Sequence, residues 1–138
     1  METGIAFAAL DPDAEERFVS LRRELGVTSF GINQILLRPG QRGRIHSHSA
    51  QEEVYLVLDG TLTLWVEGER HELGQGRLAR VAPGVRRQIA NPHPEPVLLL
   101  ALGGASEHVG RDGRAFTGWD DHEGAAPQEI PLPEDEAV

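Results

Sequence analysis

His46 and His48 stand two residues apart, and Glu53 follows at the start of the next apolar run. On a β-strand, residues i and i+2 point to the same face, about 6.6 Å apart along the chain. Both imidazoles can therefore reach one ion, and Glu53 comes beside them if the chain turns near residues 49–51. Two imidazoles and a carboxylate suit iron, manganese, nickel, zinc or copper. With coordination positions left open, the same three ligands let non-haem iron enzymes bind substrate and oxygen. Tyr55 and Val57 share the parity of Glu53 and should line the same side. Tyr55, the only tyrosine, has the chemistry to give a ligand a proton or a hydrogen bond, and equally fits an ordinary wall residue.

Composition removes several other chemistries. The chain has 138 residues, no cysteine, and 13 basic residues that are all arginine. Disulfides, thiolate catalysis and Cys-ligated zinc are excluded with the cysteines, and lysine Schiff-base chemistry with the lysines. The length fits one domain with one core. The net charge is −9, and seven acids between Asp120 and Val138 leave the rest of the chain at −2. An acidic balance argues against nucleic acid as a partner. Arg42, Arg44, Arg86 and Arg87 are candidates for a local basic patch, with Arg42 and Arg44 read as scattered solvated charges. No apolar run exceeds six residues, the length of Val97 to Leu102, against about 20 for a spanning helix, so no membrane segment is expected. The first residues lack the basic and apolar regions of a signal peptide, and the expected location is cytoplasmic.

The elements that must hold the site are mostly strands. Asp11-Pro12 reads as a helix start. Phe18, Leu21 and Leu25 follow at helical spacing before Gly26, which predicts a helix over 12–25. From Thr28 the period changes. Short runs rich in Val, Ile and Leu recur at 30–37, 54–58, 62–66, 78–81, 87–90 and 97–102, each closed by Gly, Pro or Asn. That pattern reads as an all-β sandwich or barrel, with hairpin turns at Asp59-Gly60 and Glu67-Gly68. The chain divides into an arm and helix over 1–27, a barrel over 28–106, and an acidic Gly/Pro-rich tail over 107–138. Phe116 and Trp119 are expected to pin the start of the tail, and the chain beyond Gly124 to be loosely held.

Gly40, His46, His48, Glu53 and Gly60 occur with five, one, four and six residues between them. This spacing resembles the first motif of the cupin family, in the manner of small single-domain bacterial cupins, over roughly residues 30–102. The resemblance implies an all-β jelly-roll barrel with one short N-terminal helix. It also implies a metal held by His46, His48 and Glu53, a small-molecule ligand and a homodimer. The N-terminal strand and Trp65 are the expected interface. The family's second motif is degenerate: Gly76, Gly84 and Asn91 match, Ala82 stands where a proline belongs, and Arg87 stands where the fourth ligand, a histidine, belongs.

Arginine has no lone pair to give a metal, and two readings follow. In one, three ligands suffice and Arg87 clamps a substrate carboxylate by two parallel hydrogen bonds. The protein is then a metal-dependent oxygenase, isomerase or lyase. In the other, Glu53 pairs with Arg87, no metal binds, and the barrel binds or senses a small ligand without chemistry. A guanidinium about 5 Å from a divalent ion costs roughly 6–7 kcal/mol at an effective dielectric of about 20, which gives the second reading its weight. Arg86 and Gln88 have the opposite parity to Arg87 and should face outward. Asn91 is expected to stabilise a turn. His93 lies about 20 Å further along an extended strand, and it reads as a surface residue with His71, His108 and His122.

Overall fold

The computed structural model describes residues 4–104 and 112–138. Along the chain run β1 (Phe18–Ser20), α1 (Leu21–Leu25), β2 (Gly31–Leu37), β3 (Ile45–His48), β4 (Glu52–Asp59) and β5 (Leu62–Val66). They are followed by β6 (Glu69–Leu73), β7 (Leu78–Val81), β8 (Arg87–Ala90), β9 (Val97–Gly104) and β10 (Gly113–Phe116). Two five-stranded antiparallel sheets result, in the orders β1-β2-β9-β4-β7 and β10-β3-β8-β5-β6, the double-sheet jelly roll that the motif implied. Among the described residues no helix is long and apolar enough to cross a membrane.

Period-two alternation explains how the sheets close on each other. In β9, Val97, Leu99 and Ala101 are buried while Leu98, Leu100 and Leu102 are less so. With Ile35, Leu37, Tyr55 and Val57 they face Leu62, Leu64 and Ile89 of the opposite sheet. Burying each large side chain contributes about 1.5–3 kcal/mol. Asn91 holds the β8–β9 connection as expected, donating to the carbonyls of Leu37 (2.9 Å) and Glu95 (2.8 Å).

Three local expectations are corrected. The helix spans only Leu21–Leu25, capped by Ser20, whose Oγ accepts from Arg23 N, and closed by left-handed Gly26. Upstream, the Gln34 side chain takes both backbone groups of Asp11, at 2.6 and 2.7 Å. Residues 18–20 pair with Ile35–Asn33 instead of coiling, so a sheet edge overrides local helical spacing.

The tail beyond Gly124 is docked, not loose. Ala125 bridges Ala115, Arg44 Nε donates to Ile130 O (2.6 Å), Arg42 Nε donates to Glu134 O (3.1 Å), and Glu136 N donates to Gly40 O (2.7 Å). Arg42 and Arg44 are thus tail clamps rather than scattered solvated charges. Gln88 faces away from the core interior but is buried, donating to Gly43 O at 3.0 Å. Its neighbour Arg86 stacks over Phe116 and Trp119 and donates to the carbonyls of Trp119 and Asp121, which pins the start of the tail.

Gly60 ends the first motif for a visible reason. Its φ is +82°, and an added Cβ would lie 2.4 Å from the Pro96 carbonyl oxygen. Gly76 has the same φ of +82° with nothing within 4 Å. Both Gly→Ala variants incur the left-handed penalty of about 1–2 kcal/mol. Gly60→Ala is expected to lose a further ~1–3 kcal/mol to overpacking, read as a larger drop in urea midpoint than Gly76→Ala.

Candidate metal centre

The centre forms where the chain crosses from one sheet to the other. His46 and His48 sit on β3 of the second sheet, and Glu53 sits on β4 of the first, joined by the turn at residues 49–51. His46 Nε2 lies 3.6 Å from Glu53 Oε1, and His48 Nε2 lies 3.7 Å from Glu53 Oε2. The two rings meet edge-on, with centroids 5.2 Å apart. The three ligand atoms all lie within 4.8 Å of one another.

Each histidine is oriented through its other nitrogen. His46 Nδ1 faces the Arg44 carbonyl at 3.1 Å, and His48 Nδ1 faces Asp112 Oδ1 at 2.8 Å. Both partners are acceptors, so Nδ1 donates in each ring and Nε2 is the nitrogen turned toward Glu53. Asp112 does more: its Oδ2 accepts from Ala50 N and Gln51 N, both at 2.9 Å, which fixes the turn that carries the chain to Glu53. Burial alone would raise the Asp112 pKa, but these backbone and His48 hydrogen bonds hold it below the usual range.

Glu53 is the most constrained of the three ligands. Burial opposes its ionisation, yet the close approach and charge of His46, the hydrogen bond from the Tyr55 hydroxyl and the charge of His48 outweigh it and lower its pKa to about 2. Tyr55 donates to Glu53 Oε1. Burial and the Glu53 charge push the phenol well above its ordinary value, so it stays a neutral donor. Arg87 is fully buried, with Nε 3.7 Å from Glu53 Oε1. All three of its guanidinium nitrogens lack a hydrogen-bond partner among the described residues.

A cavity of about 850 Å³ opens over the centre. His46, His48, Glu53 and Tyr55 line it with Ile35 and Ile89, and Ala126–Gln128 of the tail form part of its wall. Arg87, expected to reach a substrate, does not line it. Arg44 does line it, and the sequence offered the signal: residues 44, 46 and 48 share one strand parity. Asp112 had no local signal, lying 64 residues from His48. The other described histidines stay away from the centre. His93 bonds Glu72 at 2.9 Å, His71 opens on a separate cavity of about 490 Å³, His122 lies in the tail, and His108 falls outside the described residues.

The donor set fits a divalent transition metal. Ligand atoms 3.6–3.7 Å apart leave room for an ion about 2.0–2.2 Å from each, and both outer nitrogens carry the hydrogen-bonded support that ligating histidines show. The buried Arg87 cation is the one feature that opposes it.

The cupin-domain family model matches residues 33–103. No curated protein matches the chain in sequence. Among solved structures, a protein from Acidithiobacillus ferrooxidans provisionally named a sugar phosphate isomerase is 26% identical. The match has a TM-score of 0.61 and covers 69% of this chain and 60% of that one. A cupin protein from Bacteroides fragilis is 24% identical at TM-score 0.67, covering 86% and 96%. A sugar phosphate isomerase of the cupin superfamily from Silicibacter pomeroyi is 23% identical at TM-score 0.66, covering 84% and 79%.

Asp112→Asn keeps the size of the side chain but turns a donor toward His48 Nδ1. The ring then carries its proton on Nε2, where a metal would bind. Metal affinity is expected to fall about 10–100-fold with near-native far-UV circular dichroism, measured by competition with a chromogenic chelator.

Proposed function

The chain belongs to the cupin family, and from that premise we propose that it is a divalent-metal cupin acting on a small anionic molecule, with isomerase or oxygenase chemistry. The observation that carries this reading is the convergence of His46 Nε2, His48 Nε2 and the Glu53 carboxylate on one lined cavity. The A. ferrooxidans relative's name supports isomerisation of a phosphorylated sugar as the first chemistry to try. We also propose a cytoplasmic homodimer, joined through the N-terminal arm, where Ile5 and Phe7 stand 64% and 83% exposed.

A bound ion would supply Lewis acidity toward a ligand oxygen. The chain's own residues do the rest. The Arg44 carbonyl and Asp112 hold the two rings with Nε2 inward. Tyr55 holds one Glu53 oxygen by donating to it, which leaves the other for coordination. Phe18, Ile35, Ile89 and Ala101 line the cavity with apolar surface, which lowers the local dielectric and strengthens the polar contacts inside. Arg87 acts on a ligand indirectly, through the charge of Glu53, unless its side chain swings out to clamp a carboxylate.

A second reading rests on Arg87 itself. A buried guanidinium without hydrogen bonds to any described residue depends on Glu53 for charge compensation, and removing that partner costs several kcal/mol. In this reading the Glu53–Arg87 pair replaces the metal, and the protein binds or senses a small ligand without chemistry. Elemental mass spectrometry of untagged protein separates the two. The first predicts near-stoichiometric iron, manganese, nickel, zinc or copper in the native chain and its loss in a His46→Ala, His48→Ala double variant. Metal present only in Arg87→His would establish the second and end the enzyme reading.

A further inference from the structure

Arg44 precedes β3 by one residue and lines the same cavity as His46 and His48. Among the described lining residues it is the one arginine, and the lining contains no lysine. Its Nε is committed to the Ile130 carbonyl at 2.6 Å. Its backbone carbonyl is committed to His46 Nδ1 at 3.1 Å. Its two terminal nitrogens make no hydrogen bond or ion pair with any described residue, and they are not among the buried unpartnered atoms. A guanidinium fixed at Nε presents its remaining N–H groups as a planar fork, the geometry that matches carboxylate and phosphate.

The anionic side of the cavity is already satisfied. Glu53 is engaged by His46, His48, Tyr55 and Arg87, so its charge does not need Arg44. The strap that fixes Arg44 is also a wall: Ala126, Pro127 and Gln128 line the cavity immediately before Ile130. Arg42 and Gly40 hold the same strap further on, at Glu134 and Glu136. The group that would read a ligand's charge and the wall that would limit its length are therefore one assembly.

We propose that Arg44, steadied by the C-terminal strap, is the anion-recognising residue of this cavity and selects small ligands that carry a phosphate or carboxylate. Two residues along a strand separate it from His46 by about 6.6 Å. This deepens the reading of the cavity as a small-anion site, and it does not require the metal.

Binding of inorganic phosphate and of acetate to chelator-treated full-length protein, followed by isothermal titration and by NMR shifts of backbone amides, tests it. The native chain is expected to bind at least one of the two saturably, with shifts confined to residues 43–48 and 126–130. Arg44→Gln is expected to weaken binding about tenfold or more, and Arg44→Lys, which keeps the charge, to restore most of it. Arg23→Gln, at an exposed arginine on α1 outside the cavity lining, should leave phosphate and acetate binding near the native level. The tighter of the two anions names the ligand class. Equal binding by native protein and Arg44→Gln, no saturable binding by the native chain, or an equal loss in Arg23→Gln would each overturn the proposal. A native chain free of metal that still binds through Arg44 upholds this inference while removing the metal reading.

Discussion

The largely enclosed charge of Glu53 is the constraint around which the barrel's polar interior is arranged. A carboxylate taken out of water needs several partners, and this one has a hydroxyl from Tyr55, two imidazoles and a guanidinium within 4 Å. Those partners come from β3, β4 and β8, hence from both sheets. The pleat explains the convergence. His46 is register-paired with Arg87 across β3 and β8, so both point inward at the same level. The Arg87 guanidinium is enclosed without a hydrogen bond to any described residue, and its burial is tolerable because Glu53 stays ionised beside it. The chain keeps a cation where its family keeps a ligand, and Glu53 serves both that cation and the candidate metal.

A second layer holds this arrangement from outside. Asp112 ties His48 to the turn at residues 50–51, and Arg44 ties His46 to the tail. The acidic tail is thus built into the site through its backbone carbonyls rather than its carboxylates, although Asp135 also meets Arg17 at 3.9 Å. Arg86, between Phe116 and Trp119, closes the same segment further along.

The strands and the three ligand candidates were legible because their signals are local. Short runs of Val, Ile and Leu mark β2, β4, β5 and β9, and two histidines at i and i+2 share a face whatever the fold. The misreadings share a cause in long-range partners. Gln34 captures Asp11 and cancels a helix start that looked sound over its own fifteen residues or so. β6 is polar except at Leu73, so no periodicity marks it apart from its hairpin position. The tail docks through the carbonyls of Ile130 and Glu134, and a carbonyl leaves no trace in side-chain composition. Arg44 is the instructive case. Its parity with His46 and His48 was visible, but without the tail's position nothing separated it from a solvated charge.

Anomalous diffraction from crystals grown with manganese or zinc tests the central claim most directly, because it locates the ion rather than counting it. The account predicts one strong peak about 2.0–2.3 Å from His46 Nε2, His48 Nε2 and a Glu53 oxygen, with the Arg87 guanidinium outside the coordination shell. An empty centre in which Arg87 forms two hydrogen bonds to Glu53 would contradict it and leave the cavity as a metal-free binding site.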